Sequence, residues 1–256
     1  MSKIKHLIHK ITSNIKLTTP VSIIIGAIII AVGLMGYGFI TTGNSNPTTK
    51  SSLFVGRPID KTDYVEGNKN SKIVVVEYSD PECPFCIMFH PTMKQILSEY
   101  KDKVAFVYRH FPLTGLHPLA FDMSRAIACA GKVGGETGYY NYISTYYDIR
   151  VDSWQKSKAQ QPPALPATGR EDIAKTVGLD INAFNACMKN NDTKTDVENS
   201  IKDGSTQDAS GAPIVNGTPS TYILMKTRKG YEVVSKVEGA RPYDFVKAAI
   251  DQALTK

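Results

Sequence analysis

The sequence predicts an α/β protein in which one mixed β-sheet carries an inserted group of helices. The first supporting observation is a strand, a helix and a second strand that follow one another within the 40 residues from Lys72 to Phe111. The second is a return to β structure near the C-terminus, where two strands precede a final helix. Long helical patterns between these two β regions predict an insertion into a single domain.

The first strand is predicted at Lys72–Asp80, a β-branched run typical of a buried central strand. A helix follows across Ile87–Tyr100, because apolar residues recur there at spacings of three and four. Val104–Phe111 supplies the next strand. A strand–helix–strand unit of this length makes a right-handed crossover, so the two strands are expected to be parallel.

The middle of the chain is predicted to be helical. His117–Gly134, Gly138–Asp148 and Arg170–Asn191 carry periodic apolar positions, and Gly178 divides the last of them. The tyrosines within the second segment are expected to pack against neighbouring helices. The proline-rich stretch Ser157–Thr168 predicts an exposed loop.

Gly217–Met225 and Tyr231–Gly239 read as two strands joined by a short turn, which predicts a β-hairpin. The last segment, Arg241–Lys256, predicts a terminal helix with Pro242 near its first turn.

The N-terminal region has a different composition from the rest. Residues 21–40 contain no charged side chain, which predicts a helix long enough to cross a bilayer. Four lysines precede this segment, so the positive-inside rule places the N-terminus in the cytoplasm and the later residues outside. A cleaved signal peptide is the alternative, with Gly36 and Gly38 as weak cleavage-site residues.

The first fifty residues hold five lysines and no Asp, Glu or Arg, and without those lysines the chain has 25 basic and 24 acidic residues. The net charge of +6 therefore comes mainly from the N-terminal segment and gives no support to nucleic-acid binding. The predicted organisation is a basic cytoplasmic segment, a transmembrane helix, a flexible linker and one folded domain, at residues 1–20, 21–40, 41–52 and 53–256, with the helical insertion at about 113–212.

Cys83 and Cys86 lie three positions apart where the first strand gives way to the first helix. At a helix start, unpaired amides and the helix dipole favour a thiolate, so the pKa of Cys83 is expected to be low. Two other uses of the pair are open at this point. One is a zinc site completed by the other cysteines or by His90, and the other is a structural disulfide.

Several features, in their order along the chain, resemble the DsbA-type thiol-disulfide oxidoreductases. They are the acidic residue in the strand "VVVEYSD", the motif "CPFC", the helix proline Pro91, the late motif "GTPS" and the closing hairpin and helix. That family has a thioredoxin fold with a helical insertion. The resemblance covers nearly all of the chain from about Lys72 onward, and the N-terminal apolar segment is similar to that of the membrane-anchored bacterial members.

The resemblance implies a role for each matching position. Cys83 would be the exposed nucleophile and Cys86 the buried resolving cysteine. Pro219 would be a cis-proline against the disulfide, with Thr218 presenting its backbone to an extended substrate, and Glu77 would assist proton transfer involving Cys86. Pro84 and Phe85, the residues between the cysteines, are expected to contact substrate.

The residues around the motif also bear on its redox balance. Strongly oxidising members of the family carry histidine where this chain has Phe85, and Glu82 adds a negative charge just before Cys83. Both differences are expected to stabilise the thiolate less, which predicts a milder oxidant.

Cys129 and Cys187 each lie in an apolar helical context, and a bridge between them is expected to stabilise the domain. Two buried free thiols are the alternative.

The sequence therefore predicts a membrane-anchored enzyme that exchanges disulfides in extracytoplasmic proteins, without a cofactor or metal. Its predicted partners are cysteine-containing substrate proteins and a membrane redox protein, either DsbB-like or vitamin K epoxide reductase-like. A tethered chaperone or binding module, or a metal-binding domain using the "CPFC" cysteines, is the alternative function.

Overall fold

A computed structural model describes residues 52–165, 169–190 and 192–256 of the chain. Within this part of the chain the strands are β1 (Ser52–Leu53), β2 (Val65–Gly67), β3 (Ile73–Ser79), β4 (Ala105–His110), β5 (Ser220–Thr227) and β6 (Gly230–Glu238). They form one mixed sheet in the order β1-β6-β5-β3-β4-β2.

The helices in the same part of the chain are α1 (Pro84–Tyr100), α2 (Ala120–Ser157), α3 (Gly169–Thr176), α4 (Ile181–Lys189), α5 (Asp192–Gly204) and α6 (Tyr243–Leu254). Helix α2 is interrupted at Gly135, whose φ of 62° lies in the left-handed region that glycine tolerates best. The interruption separates the two helical segments that the sequence predicts there.

Strand β3 is the centre of the sheet and is buried along its whole length. It pairs in parallel with β4 and antiparallel with β5, so that Glu77 lies opposite both Tyr108 and Thr221. The parallel pairing follows from the crossover through α1. This central position brings the end of β3, the start of α1 and the start of β5 to the same edge of the sheet.

Each face of the sheet has its own hydrophobic core, because successive strand residues point to opposite sides. Val75 of β3 packs on one face with residues of α1, α2 and α6. Val76, the next residue, packs on the other face with Phe111 and the segment Ile214–Val215. The cysteines Cys83 and Cys86 belong to the first core.

The helices α2 to α5 lie between β4 and β5, which agrees with the predicted helical insertion. Sequence patterns did not predict β1, β2 or α5. The two strands have only two and three residues, too few for an alternating pattern to be read. The sequence of α5, "DTKTDVENSIKDG", is mostly polar and carries little apolar periodicity.

The predicted membrane segment at residues 21–40 lies outside the described residues, as do the basic segment and nearly all of the predicted linker. Among the helices that the structure describes, none combines the length and apolar character needed to span a bilayer.

Candidate active site

Cys83 and Cys86 lie at the first turn of α1. Cys83 is the N-cap residue, Pro84 occupies the first helical position, and no side chain caps the helix. Proline fits this position because its missing N–H has no partner there in any helix. The free amides of the first turn therefore face the Cys83 sulfur.

The Cys83 side chain is less accessible than the sequence predicts. The residue is only 4% exposed, so the expectation of an exposed nucleophile is wrong. The physical reason is the turn before β5, which lies against the sulfur. The Cys83 sulfur lies 3.4 Å from the Thr218 carbonyl oxygen, to which it donates a hydrogen bond when it is protonated, and the following Thr218–Pro219 peptide bond is cis.

The pKa values of the two thiols are shifted in opposite directions. A hydrogen bond from the Cys86 thiol lowers the pKa of Cys83 to about 6, and the amides of Phe85 and Cys86 contribute against the effect of burial. Burial raises the pKa of Cys86 well above its ordinary value, and its contact with Cys83 adds to that rise. Cys83 is therefore largely a thiolate at neutral pH, while Cys86 keeps its proton.

Asp80 fixes the loop between β3 and α1. One carboxylate oxygen accepts hydrogen bonds from the amides of Glu82 and Cys83, at 2.7 and 3.2 Å. The other accepts from the Leu113 amide at 2.7 Å and lies 2.8 Å from Nδ1 of His117. The Asp80 amide itself donates to the Cys86 sulfur at 3.4 Å. This buried carboxylate thus connects the cysteine loop to the segment after β4.

Glu77 lies beneath the cysteine pair, on the same face of β3 as Val75, which belongs to the core that contains both cysteines. Burial raises the pKa of this carboxyl to about 7. A cavity of about 730 Å³ is lined by both Glu77 and Cys86 and also by the exposed residues Lys94 and Lys101. The cavity therefore extends from the protein surface to the buried acid and the buried thiol.

A chain of hydroxyl groups lies beside the pair. The Tyr147 hydroxyl is 3.2 Å from Ser79 Oγ and 3.1 Å from the Tyr108 hydroxyl. His90 stacks on the Tyr147 ring with 5.0 Å between ring centroids. Burial lowers the pKa of His90 to about 4, so this imidazole is neutral at physiological pH and adds no positive charge near Cys83.

The residues expected to contact substrate surround Cys83. Phe85 is 58% exposed on the first turn of α1, and Pro84 beside it is half-buried. Thr218 and Pro219 are buried in the turn that covers the sulfur. The structure brings these four residues together around the cysteine, and their contact with substrate remains a prediction.

Cys129 of α2 and Cys187 of α4 form a disulfide bridge across a sequence separation of 58 residues. These two sulfurs are therefore unavailable as ligands for a four-cysteine zinc site. Among the described residues, no group of three or more His, Cys, Asp or Glu side chains is arranged to hold a metal ion.

Sequence patterns did not identify several residues of this site, namely Asp80, His117, Tyr146, Tyr147 and Arg150. The spacing of Tyr146 and Arg150, four positions apart, places these two on one face of α2. It gave no indication that this face meets the loop before Cys83, because that contact joins residues more than 60 positions apart.

Known proteins resemble this chain in both sequence and fold. The Na⁺/H⁺ antiporter NhaA 1 of Mycolicibacterium gilvum is 27% identical over 208 residues, covering 81% of this chain and 31% of the antiporter. A protein of Rickettsia bellii, provisionally named a protein-disulfide oxidoreductase, is 30% identical over 203 residues, covering 77% of this chain and 66% of that protein. The chain thus spans under a third of the antiporter and about two thirds of the Rickettsia protein.

Among solved structures, the thiol-disulfide exchange protein α-DsbA2 of Wolbachia pipientis is similar, with a TM-score of 0.57 and 20% identity over 76% of this chain and 88% of that one. The similarity supports the predicted thioredoxin-like fold with its helical insertion. The profile of the family described as Thioredoxin matches residues 60–251, which is most of the chain. The chain therefore belongs to the thioredoxin family.

Proposed function

We propose that this protein is a DsbA-type thiol-disulfide oxidoreductase that uses Cys83 and Cys86 as its redox pair. One observation carries the proposal: an acidic thiol and a weakly acidic thiol share the first turn of α1, beneath the Thr218–Pro219 turn. The low pKa of Cys83 makes it a good leaving group and a good nucleophile. A relative named as a protein-disulfide oxidoreductase adds support.

In the oxidising direction, a substrate thiolate attacks the Cys83 sulfur of the Cys83–Cys86 disulfide. A bond forms between the substrate sulfur and Cys83, and Cys86 leaves as a thiolate that takes up a proton. A second substrate thiolate then attacks the substrate sulfur of this mixed disulfide, and Cys83 leaves as a thiolate. The substrate loses two electrons, and the two cysteines gain them.

Glu77 is the proposed proton source for the departing Cys86. Its pKa near 7 makes the carboxyl group partly protonated under physiological conditions, and it borders the same cavity as Cys86. The cavity offers a route by which water can restore the proton. Cys86 itself has a raised pKa, so it accepts a proton readily once the disulfide opens.

We further propose that the domain works outside the cytoplasm and is held there by residues 21–40. The uncharged segment and the lysines before it support this orientation. An antiporter that contains a related segment supports a position beside a membrane for such a domain. The proposed substrates are cysteine-containing extracytoplasmic proteins.

Repeated turnover in the oxidising direction requires an electron acceptor. The proposed acceptor is a membrane protein linked to quinone, of the DsbB-like or vitamin K epoxide reductase-like class. A membrane anchor would hold the two proteins at high effective concentration.

Oxidative refolding of a reduced, cysteine-containing protein tests the activity. The oxidised protein is expected to form disulfides in it, and Cys83→Ser is expected to abolish this. A Cys129→Ser/Cys187→Ser variant is the matched control, because it makes the same change away from the site and should retain activity. Refolding assistance that survives Cys83→Ser would instead indicate a binding module.

The location is tested separately on the full-length chain in cells. A membrane-impermeant thiol reagent applied to intact spheroplasts is expected to label reduced Cys83, and the protein is expected to stay with the membrane fraction after salt washing. Labelling only after lysis would contradict the proposed orientation.

A further inference from the structure

Glu82, the residue immediately before Cys83, is bound by a side chain from the helical insertion. Its carboxylate accepts a hydrogen bond from Arg150 Nη1 in an ion pair and lies 2.9 Å from the Tyr146 hydroxyl. Both partners belong to α2. The Glu82 and Arg150 side chains are 13% and 2% exposed, so the pair is largely shielded from water.

The buried charge of Arg150 is compensated by Glu82. The same Nη1 also donates to the Tyr146 hydroxyl at 2.6 Å, but that partner is neutral. Arg150 Nε is buried and has no hydrogen-bond partner among the described residues. A buried guanidinium needs a counter-charge to offset its desolvation, and Glu82 is the carboxylate that this arrangement supplies.

Tyr146 connects the same pair to the backbone of the cysteine loop. Its hydroxyl lies 2.7 Å from the Pro81 carbonyl oxygen and accepts from Arg150. Asp80, directly after β3, accepts hydrogen bonds from the amides of Glu82 and Cys83. The loop is therefore fixed both at the end of β3 and by α2. Glu82 is therefore held in one place next to Cys83.

Two opposite charges thus meet at Glu82, the residue before the one whose sulfur becomes ionised. Alone, the Glu82 carboxylate would oppose a thiolate at Cys83, and the Arg150 guanidinium would favour it. Together they largely cancel. Asp80, paired with His117, and Cys86 also face this loop and are unchanged in the variants considered below.

We propose that Arg150 is a positioning residue that holds Glu82 and balances its charge, so that neither charge alone displaces the redox equilibrium of Cys83 and Cys86. The inference rests on the proposed function. It also implies a smaller effect of Glu82 on the redox balance than its charge alone predicts, because Arg150 compensates that charge.

The two single variants are expected to shift the equilibrium in opposite directions. Glu82→Gln leaves the guanidinium uncompensated, so the Cys83 thiolate is stabilised and the couple becomes more oxidising. Arg150→Met leaves the carboxylate uncompensated, so the couple becomes less oxidising. Each change is expected to move the equilibrium constant with glutathione by about tenfold, the equivalent of about one pKa unit.

The test measures that constant together with the pH dependence of the ultraviolet absorbance of the Cys83 thiolate, on the full chain in detergent. The double variant Glu82→Gln/Arg150→Met removes both charges and is expected to return close to the wild-type value. Arg150→Lys keeps the charge and is expected to stay closer to wild type than Arg150→Met. Arg109→Met, which breaks a buried ion pair with Asp203 on the other face of the sheet, is the matched control.

Shifts of the same sign in both single variants, or shifts no larger than in Arg109→Met, would overturn the inference. If Arg150→Met does not fold, Glu82→Gln and the double variant decide, since a structural role alone gives no reversal between them. Failure of the wild-type cysteines to equilibrate with glutathione would contradict the proposed function instead. The two failures are therefore distinguishable.

Discussion

The two cysteine pairs of this protein are chemically different, although three of the four cysteines are buried and only Cys187 is half-buried. Cys83 and Cys86 are free thiols 4% and 1% exposed, whereas Cys129, 0% exposed, is bridged to Cys187. Accessibility therefore does not separate a reactive cysteine from a structural one here. The difference lies in where each cysteine stands on its helix.

Cys83 is at the beginning of a helix, where unpaired amides and the positive end of the dipole stabilise negative charge. Cys129 is inside α2, where the amides are already used in helical hydrogen bonds, and Cys187 is in the last turn of α4, away from the free amides at the start of that helix. Backbone position, more than exposure, therefore assigns reactivity to these cysteines. Four substitutions test this difference, with expected effects that decrease from the first to the fourth.

The largest effect is expected at Cys83 itself. Cys83→Ser removes the ionised sulfur and is expected to lower the rate of insulin reduction by about 10³-fold or more, because the nucleophile cannot be replaced. Cys86→Ser is expected to trap a mixed disulfide at Cys83, visible by mass spectrometry. If Cys129→Ser/Cys187→Ser lost activity to the same extent while remaining folded, the division between the pairs would be wrong.

The second change removes the bridge. Cys129→Ala/Cys187→Ala is expected to lower the free energy of unfolding by roughly 4 kcal/mol, from the entropy of a loop of nearly 60 residues. Denaturant unfolding measures this loss, with the Cys83→Ser variant as the control for loss of one sulfur. Exchange activity below the unfolding transition is expected to stay near wild type. A loss of activity without a loss of stability would show that the bridge also serves the chemistry.

The parts of the molecule that the sequence reveals are those whose signals are local in the chain. Cys83, Cys86 and Pro219 stand in short motifs next to strongly patterned strands, so their places could be predicted from neighbours in the chain. The β3–α1–β4 unit could be predicted for the same reason, since its signals are local periodicities. The resemblance to a known family then supplied the cis peptide bond, which spacing alone does not indicate.

The partners of the site could not be predicted in this way. Asp80 reaches His117, and Glu82 reaches Arg150, across 37 and 68 positions. A charged residue in the sequence shows neither which face of the fold it meets nor whether its charge is compensated there. The burial of Cys83 under the Thr218 turn was missed for the same reason, because tertiary contact decides it.

The third change concerns the acid beneath the reactive pair. Burial raises the pKa of Glu77 from an ordinary value of 4.5 to about 7, so the folded state binds its proton more tightly than the unfolded state. The stabilisation from this group is fully present below about pH 4.5 and is lost as the pH rises through about 7.

Glu77→Gln is neutral at every pH and escapes this loss. Its gain in unfolding free energy over wild type is expected to grow by about 2 to 3 kcal/mol between about pH 5 and about pH 8. Chemical denaturation at several pH values measures the gain. Glu66→Gln, a change at a half-buried acid of β2, is the control and should show a smaller gain. A pH-independent difference at Glu77 would mean that the carboxyl is ionised when folded.

The smallest effect is expected from adding a positive charge at the helix start. Phe85 is exposed on the first turn, so Phe85→His should fold normally and, when protonated, lower the pKa of Cys83. The shift in the glutathione equilibrium is expected to be about threefold toward the reduced form at slightly acidic pH, and to fade as the imidazole loses its proton.

Met88→His makes the same substitution at a similarly exposed position of α1, 51% against 58% exposed, but farther from the helix start. Because the effect of a charge near a helix end falls off within the first turn, this control is expected to leave the equilibrium almost unchanged. Equal shifts from the two histidines would mean that the general charge of the surface, rather than the position of Cys83 at the helix start, governs the acidity of its thiol. The distinction drawn between the two cysteine pairs would then lose its physical basis.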